Sequence, residues 1–230
     1  GEWLRAVQAF GSRGSIPAWR RYLERRTPQF RWAPSAIDEP ISPEETAELI
    51  IGLLFAAHKN PAIGAAQTLL LLLEHPQEHR KVVAELSANG GTSPSLALRR
   101  SIQETLRLTA HVLGAIRRVV APDGVALGPA GGRRFHVPCG YYVAVSHSLP
   151  NRNTGVFEDP IEFRPDRFEG EQVFDDYQFT TFSHGIHKCP GRAYAMALME
   201  SLLSQVFRRF DVAPGGKLPL IDFTRATLAQ

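Results

Sequence analysis

Hydrophobic residues recur at helical spacing in three consecutive segments between residues 42 and 108. The first segment opens with a capping box at 42–45, which has proline at the first helical position, and it predicts a long apolar helix that ends at Leu73. A second helix is predicted over 76–86, and the Ser-Pro pair at 93–94 is expected to cap a third. The apolar residues of the third helix repeat every four positions, at Leu98, Ile102 and Leu106.

The pattern then changes to short β-prone runs that are separated by turns containing Pro, Gly and Asp. These runs lie at 118–120, 133–137 and 141–145, and they predict a small antiparallel sheet. A last helix is predicted over 191–210, and we expect it to be buried because apolar residues occupy nearly all of its sides. Strand-like runs at 218–220 and 223–228 end the chain. The sequence therefore predicts a mainly α-helical fold with a small antiparallel β-sheet.

Composition indicates a folded globular domain and argues against nucleic acid as a partner. Of the 230 residues, 43% are hydrophobic and 21% are charged, which is typical of a chain that buries a core. The formal net charge is +3, and its surplus lies in residues 1–31, which contain seven arginines and two glutamates. We interpret the Arg- and Pro-rich segment 1–41 as a lead-in with one short helical candidate at 19–26. The later sequence has no basic surface interleaved with aromatic residues.

The two cysteines limit the possible metal sites and disulfides, and the hydrophobic runs limit the possible membrane spans. Cys139 and Cys189 are too far apart for a CxxC zinc pair, and two cysteines make no dense disulfide framework, so a reducing compartment fits best. The longest apolar stretch, 49–73, is interrupted by polar residues and a proline at 58–61. We therefore expect a buried helix there rather than a membrane span.

The segment 182–191, immediately before the last predicted helix, is the strongest candidate for chemistry. Gly185 and Gly191 allow backbone conformations that other residues avoid, so the loop can fold tightly around Cys189. Cys189 stands at the positive end of the following helix and beside Lys188, and both features favour a thiolate. A thiolate at this place could bind a soft metal centre.

The sequence F-x-x-G-x-H-x-C-x-G of this segment resembles the heme-binding loop of the cytochrome P450 family, with His187 where most members have arginine. The resemblance implies that Cys189 is the proximal thiolate ligand of heme b, a ligand type that favours O–O bond cleavage. It also places Phe182, Gly185 and Gly191 in the cofactor-binding loop and makes His187 a partner of a heme propionate.

Two further family motifs precede the cysteine in the expected order. Glu104 and Arg107 form an E-x-x-R sequence on the third predicted helix, where residues three positions apart share a face. Arg167 belongs to a P-x-R-F sequence, and the resemblance implies that the three residues form a buried structural network. Arg117 matches the position of a second propionate partner, and an ordinary charge at a strand edge is the alternative.

The long first helix departs from the family pattern in the part that crosses the distal face of the heme. Most family monooxygenases carry A-G-x-[DE]-T there, whereas this chain reads A-A-H-K-N-P at 56–61. Asn60 replaces the threonine, and His58 is a second candidate proton carrier unless its side chain points away from the heme. The candidate catalytic residues are therefore Asn60 and His58. Because Pro61 removes the helical partner of the Ala57 carbonyl, we expect the helix to kink or open there.

The resemblance covers 42–230 and corresponds to the C-terminal portion of a single cytochrome P450 domain, so we expect the N-terminal half of that fold to be absent from 1–230. It implies a heme-thiolate monooxygenase that inserts one oxygen atom from O2 into a hydrophobic, sterol- or lipid-like substrate. A ferredoxin or a flavin reductase would supply the electrons. The expected location is the cytoplasmic side, either soluble or associated with a membrane through a segment outside this chain.

Two alternatives stay open at this point. The resemblance at Asn60 extends to bile-acid 7α-hydroxylases, which use O2, and to prostacyclin synthase and allene oxide synthase, which rearrange lipid peroxides without it. His187 is similar to the residue of sterol 14α-demethylases at this position. The chain is therefore either a monooxygenase or a P450-type isomerase or dehydratase, or it is a non-catalytic remnant of the fold.

Overall fold

The computed structural model describes residues 43–88, 95–109, 113–129, 131–170, 174, 177–185, 188–219 and 221. By their internal contacts, residues Gly1–Asn60 and Pro61–Gln230 form two compact units. The helical candidate at 19–26, His187 and the strand-like run at 223–228 lie outside the described residues.

The first described element is the long helix α1, Pro43–Glu74, which begins with proline as the capping sequence predicts. The helix does not open at Pro61 but continues to Glu74, because a proline removes only one i→i−4 hydrogen bond and a helix-compatible apolar sequence follows it. Among the helices within the described ranges, none combines the length and the apolar character that a bilayer crossing needs.

Helices α2, Pro76–Ala88, and α3, Leu96–Leu108, follow α1 closely in the chain. A short helix, α4, spans Ser148–Asn151, and the last helix, α5, spans Arg192–Arg209. Apolar side chains from α2, α3, α5 and the second part of α1 form one hydrophobic core. Gly64 of α1 faces α5, because a Cβ at this position would lie 2.8 Å from the sulfur of Met199. The most deeply buried apolar members of the core are Leu71, Leu72, Val82, Leu98, Ile102, Leu108 and Met199.

Helix α3 begins at a different cap from the one expected. Ser95, not Ser93, is the N-cap residue: its hydroxyl accepts a hydrogen bond from the Leu98 N–H at 3.1 Å. The Glu85 carboxylate of α2 accepts hydrogen bonds from the Ser95 hydroxyl at 2.8 Å and from the Ala97 N–H at 3.0 Å. The contact with α2 thus satisfies a second free N–H group at the helix start, and no local pattern could reveal it.

The predicted antiparallel strands are present, but they form two separate two-stranded ribbons rather than one sheet. The ribbons pair β1, Leu113–Arg118, with β4, Tyr142–Ser146, and β2, Val125–Leu127, with β3, Phe135–Val137. The strand expected at 118–120 instead ends at Arg118, and β2 was not expected because three residues between turns carry no periodic signal. The mainly helical fold with a small antiparallel β component is confirmed.

Helix α5 is buried on one face only, so the expectation that it is buried on all sides is wrong. Leu198 and Leu202 are 37% and 48% exposed, and Tyr194 is 56% exposed. Apolar residues all round a helix permit complete burial, but burial requires packing partners on every side, and the described core covers one face. The buried face consists of Met196, Met199, Leu203 and Phe207.

Candidate functional site

Cys189 lies in the loop immediately before α5, and its thiol is free and exposed. Its backbone N–H donates a hydrogen bond to the Phe182 carbonyl at 2.8 Å, and the Lys188 N–H donates to the Gly185 carbonyl at 3.0 Å. These two bonds close the chain into a tight loop that ends at the cysteine. The sulfur is therefore held outside the hydrophobic core at a position that the backbone fixes.

The backbone of this loop requires glycine at one of the two expected positions. Gly185 has a φ of 64°, in the left-handed region that favours glycine. Gly191 has a φ of −86°, which any residue adopts, so the expectation for its backbone is wrong. A Cβ at Gly191 would lie 3.8 Å from the Cys189 sulfur, so this glycine leaves the space beside the sulfur open. Ser183 also has a positive φ, 59°, which the sequence does not signal.

The start of α5 places positive charge near the sulfur. The guanidinium of Arg192 lies 5.5 Å from the centroid of the Phe182 ring, within cation–π distance. The N–H groups of the first helical turn carry the positive end of the helix dipole, directly after Cys189. An exposed soft sulfur, a positive helix end, open space at Gly185 and the absence of a side chain beside the sulfur at Gly191 fit a thiolate-ligated heme.

Glu104 and Arg107 lie three residues apart on α3, and both side chains are completely buried. The Nε and Nη2 atoms of Arg107 donate to the two oxygens of Glu104 at 2.7 and 2.8 Å. Arg167, in the 3-10 turn Pro165–Phe168, donates from Nε to the same carboxylate at 2.9 Å, and the Arg164 backbone N–H donates to it at 3.0 Å. The structure thus brings the E-x-x-R and P-x-R-F arginines onto one carboxylate.

The guanidinium of Arg107 has a partner for each of its five N–H groups. Besides Glu104, its Nη1 atom donates to the carbonyls of Asn151 and Pro160, each at 2.7 Å, and its Nη2 atom donates to the Glu162 carbonyl at 3.3 Å. The side chain therefore ties α3 to main-chain atoms of the segment 151–162.

Three polar residues beside this network were not foreseen from the sequence. Asn151, Thr180 and Thr181 form a hydrogen-bonded cluster between the end of α3 and the cysteine loop. The sequence around Asn151, N-R-N-T, has the composition of an exposed turn, and a composition signal cannot show which turn residue is buried. Nearby, burial and, to a smaller extent, the charge of Arg107 lower the pKa of Arg152.

The remaining candidates lie on elements other than the cysteine loop. Arg117 is exposed on β1, and its Nη1 atom donates to the carbonyl of the preceding residue, Ile116, at 2.9 Å. Asn60 and His58 are exposed on α1 and belong to the unit Gly1–Asn60, whereas Cys189 belongs to the unit Pro61–Gln230. Within the described part of the chain, no group of three or more His, Cys, Asp or Glu residues is placed to hold a bare metal ion.

Comparisons with known proteins agree on one family. A family model described as Cytochrome P450 matches residues 33–230. A sterol 14alpha-demethylase of Mycolicibacterium vanbaalenii is 32% identical over 190 residues, which is 76% of this chain and 40% of the relative. A fusicoccadiene 8-ol C-16-hydroxylase of Phomopsis amygdali is 33% identical over 178 residues, 75% of this chain and 31% of the relative.

A solved structure shows the same fold. The crystal structure of a mutant cytochrome P450DA heme domain matches with a TM-score of 0.71 at 19% identity, over 86% of this chain and 46% of that one. This chain spans 40% and 31% of the length of the two curated relatives above. Since the family match at 33–230 includes α1, the E-x-x-R helix and the cysteine loop, the chain belongs to the cytochrome P450 family.

Proposed function

We propose that this chain provides the thiolate side of a heme monooxygenase, with Cys189 as the proximal ligand of heme b. The observation that carries the proposal is the exposed sulfur held before α5 by the 2.8 Å hydrogen bond from the Cys189 N–H to the Phe182 carbonyl. When heme is bound, donation of electron density from the thiolate ligand favours O–O bond cleavage. The family match and the demethylase and hydroxylase names of relatives support the oxidative class.

The other residues of the loop bind and orient the cofactor in this proposal. The Phe182 carbonyl accepts the hydrogen bond from the Cys189 N–H. Gly185 allows the chain to turn, and Gly191 leaves room beside the sulfur. Arg117 pairs with a heme propionate, as does His187. Arg117 can exchange its present bond to a neutral carbonyl for one to a carboxylate, because hydrogen bonds between two charged groups are stronger.

Glu104, Arg107 and Arg167 have a structural role in the proposal. Their buried network fixes the end of α3 against the segment that contains Arg167, and the cysteine loop follows that segment in the chain. None of the three residues needs to contact the substrate. Their contribution is to keep the cofactor side of the fold in one arrangement.

Asn60 and His58 are the candidates for handling protons on the opposite, distal side. An amide donates and accepts hydrogen bonds but does not relay a proton as a hydroxyl does, so Asn60 would orient water rather than transfer protons itself. His58 is the candidate proton carrier, because histidine is the side chain most often used for this role. Both side chains are exposed on α1.

We assign a hydrophobic, sterol- or lipid-like substrate and an electron-donating partner to the whole protein. The names of two relatives, a sterol 14alpha-demethylase and a fusicoccadiene 8-ol hydroxylase, support the substrate class. A ferredoxin or a flavin reductase on the cytoplasmic side would dock at the exposed cations Lys188 and Arg192, which flank Cys189. Acidic groups on the partner would complement these charges.

The decisive experiment tests the sulfur ligand directly. The chain is reconstituted with hemin, reduced and treated with carbon monoxide, and the expected result is the red-shifted Soret band of a thiolate-ligated ferrous complex. Cys189→Ser should lose this band, whereas Cys139→Ser, a change at the other exposed free cysteine, should keep it. Absence of the band from the unsubstituted chain would contradict the proposal and favour a non-catalytic remnant of the fold.

Asn60 favours one second candidate, the rearrangement of a lipid peroxide without O2, because the hydroxyl of the usual threonine is missing. The two candidates differ in what turnover requires. A monooxygenase consumes O2 and reducing equivalents, whereas a peroxide rearrangement proceeds with a lipid hydroperoxide alone. Product formation from a hydroperoxide in an anaerobic sample without reductant would select the second candidate.

A further inference from the structure

Asn151 is a completely buried polar residue to which the proposed function gives no role. It ends the short helix α4, Ser148–Asn151, and its exposure is 0%. Its amide nitrogen donates to the Arg107 carbonyl at 3.3 Å and to the Thr181 hydroxyl oxygen at 2.9 Å. Its amide oxygen accepts from the Thr180 N–H at 2.8 Å, and the single hydrogen of the Thr180 hydroxyl is shared between this oxygen and the His147 carbonyl, each at 3.3 Å. Both amide hydrogens therefore have partners, and the amide oxygen has one full donor and one shared donor.

Two main-chain contacts fix the orientation of this amide. The Arg107 carbonyl can only accept a hydrogen bond and the Thr180 N–H can only donate one, so the nitrogen and the oxygen of Asn151 cannot be exchanged. No other side chain meets the same demands. Aspartate lacks the two donors, leucine lacks all four groups, and glutamine is longer by one methylene.

The cluster joins the buried ion network to the cysteine loop. On one side, Asn151 contacts Arg107 twice, because its own carbonyl also accepts from the Arg107 Nη1 atom at 2.7 Å. On the other side it holds Thr180 and Thr181, and the hydroxyl of Thr181 also donates to the Leu106 carbonyl at 3.2 Å. The residue after Thr181 is Phe182, whose carbonyl accepts the Cys189 N–H.

We infer that Asn151 is a positioning residue for Cys189. It holds Thr180 and Thr181 against the end of α3 and thereby sets the place of the Phe182 carbonyl to which the Cys189 N–H bonds. Asn151 acts through these three residues and does not contact the sulfur. That Cys189 binds heme rests on the proposed function. That Asn151 positions the cysteine loop does not depend on it.

The first test uses the heme-free chain. In Asn151→Leu we expect the amide hydrogens of Thr180 and Cys189 to exchange about tenfold faster or more in NMR hydrogen-exchange measurements, because a buried donor and acceptor set is removed. The amide of Leu203, in the core face of α5, should keep its rate. Equal acceleration of all three amides would show a general loss of stability and would overturn the inference, as would no acceleration at Cys189.

A milder variant covers the case in which Asn151→Leu does not fold. Thr181→Val keeps the side-chain shape and removes the hydroxyl that bonds to Asn151 and to the Leu106 carbonyl, and it should accelerate the Cys189 amide in the same direction. Asn153→Ala is the matched control. Asn153 is exposed, and its side chain accepts a hydrogen bond from the Gly155 N–H in its own turn. Acceleration at Cys189 in Asn153→Ala as large as in Thr181→Val would contradict the inference.

The second test uses the hemin-loaded chain and its ferrous carbon monoxide complex. At equal bound hemin, Asn151→Leu and Thr181→Val should show a smaller fraction of the red-shifted Soret band than the unsubstituted chain and Asn153→Ala. An unchanged fraction in both cluster variants overturns the inference. If the unsubstituted chain lacks the band, the proposed function fails, and the amide exchange rates still decide whether Asn151 positions Cys189.

Discussion

Glu104 and Arg107 meet at 2.7 and 2.8 Å with both side chains fully buried, and Arg167 joins them at 2.9 Å. Moving such charges out of water is costly, and the cost is offset only while every partner is present. A single substitution in this network is therefore expected to lower the stability of the fold. Loss of Glu104 in particular leaves Arg107 fully buried and Arg167 almost so, each without its counter-charge.

Glu104→Ala is expected to lower the free energy of unfolding by about 3–5 kcal/mol and to leave little hemin bound. The reason is that Arg107 and Arg167 lose the carboxylate with which both pair. Urea titration followed by circular dichroism and the hemin content after reconstitution check this. Glu169→Ala is the matched control, since the Glu169 side chain is 63% exposed and its carboxylate pairs with Arg100 at 3.2 Å. The control should cost about 1 kcal/mol or less. Similar losses in the two variants would contradict the structural role of Glu104.

Arg107→Lys tests whether geometry or charge matters in the network. Lysine keeps the charge but has three donors on one atom, and it cannot reach the Glu104 carboxylate and three carbonyls together. We expect a loss of about 3 kcal/mol in the free energy of unfolding. Arg100→Lys, in the exposed pair with Glu169, should change it by about 0.5 kcal/mol at most. A neutral effect of Arg107→Lys would show that charge alone suffices.

Two glycines of α1 allow a paired comparison. A Cβ at Gly64 would lie 2.8 Å from the Met199 sulfur and 3.2 Å from the Leu106 side chain, whereas a Cβ at Gly52 would meet nothing within 4 Å. Alanine improves helix propensity at both positions, but it overpacks the core at Gly64 only. Gly64→Ala should therefore be less stable than Gly52→Ala by about 1–3 kcal/mol in urea unfolding. Equal stability would mean that Met199 moves aside without cost.

Two partly buried histidines predict acid sensitivity. Burial lowers the pKa of His147, and it lowers the pKa of His79 in spite of the opposing charge of Asp211. A histidine with a lowered pKa binds its proton less readily in the folded state, so this part of the stability is present above the unfolded pKa of 6.5 and is lost as the pH falls below it.

The free energy of unfolding should thus fall between about pH 7 and about pH 5, and the fall should be smaller in a His79→Gln, His147→Gln double variant. His136→Gln, at an exposed histidine, is the matched control for the substitution itself. The idea is wrong if the double variant keeps the full slope.

Much of the helical frame could be predicted, because it depends on local signals. The helix expected over 42–73 spans Pro43–Glu74, and the one expected over 191–210 spans Arg192–Arg209. Proline at a first helical position and apolar periodicity act within a few residues. The family and the mainly helical fold class were predicted for a related reason, since the cysteine loop is a contiguous sequence.

The features that could not be predicted depend on distant partners. Ser95 caps α3 because Glu85 of α2 supports it, and the serine two residues earlier had an equally good local pattern. Asn151 is buried because Arg107 and the pair Thr180 and Thr181 surround it, although its neighbours in sequence are typical of turns. Leu198 and Leu202 on α5 were expected to be buried, but they are exposed. The hydrophobic pattern of a helix does not show whether another element packs against each of its faces.

Arg167 reaches Glu104 across 63 positions of the chain. Closing so long a loop costs chain entropy before the contact returns any energy, whereas α2 and α3 need only local bonds. Formation of this ion pair should therefore be a late folding event that follows collapse of the two ribbons and α4. A single proteolytic cut in the ribbon region would leave the helices able to form but would turn this intramolecular pairing into an encounter between two fragments, dependent on their concentration.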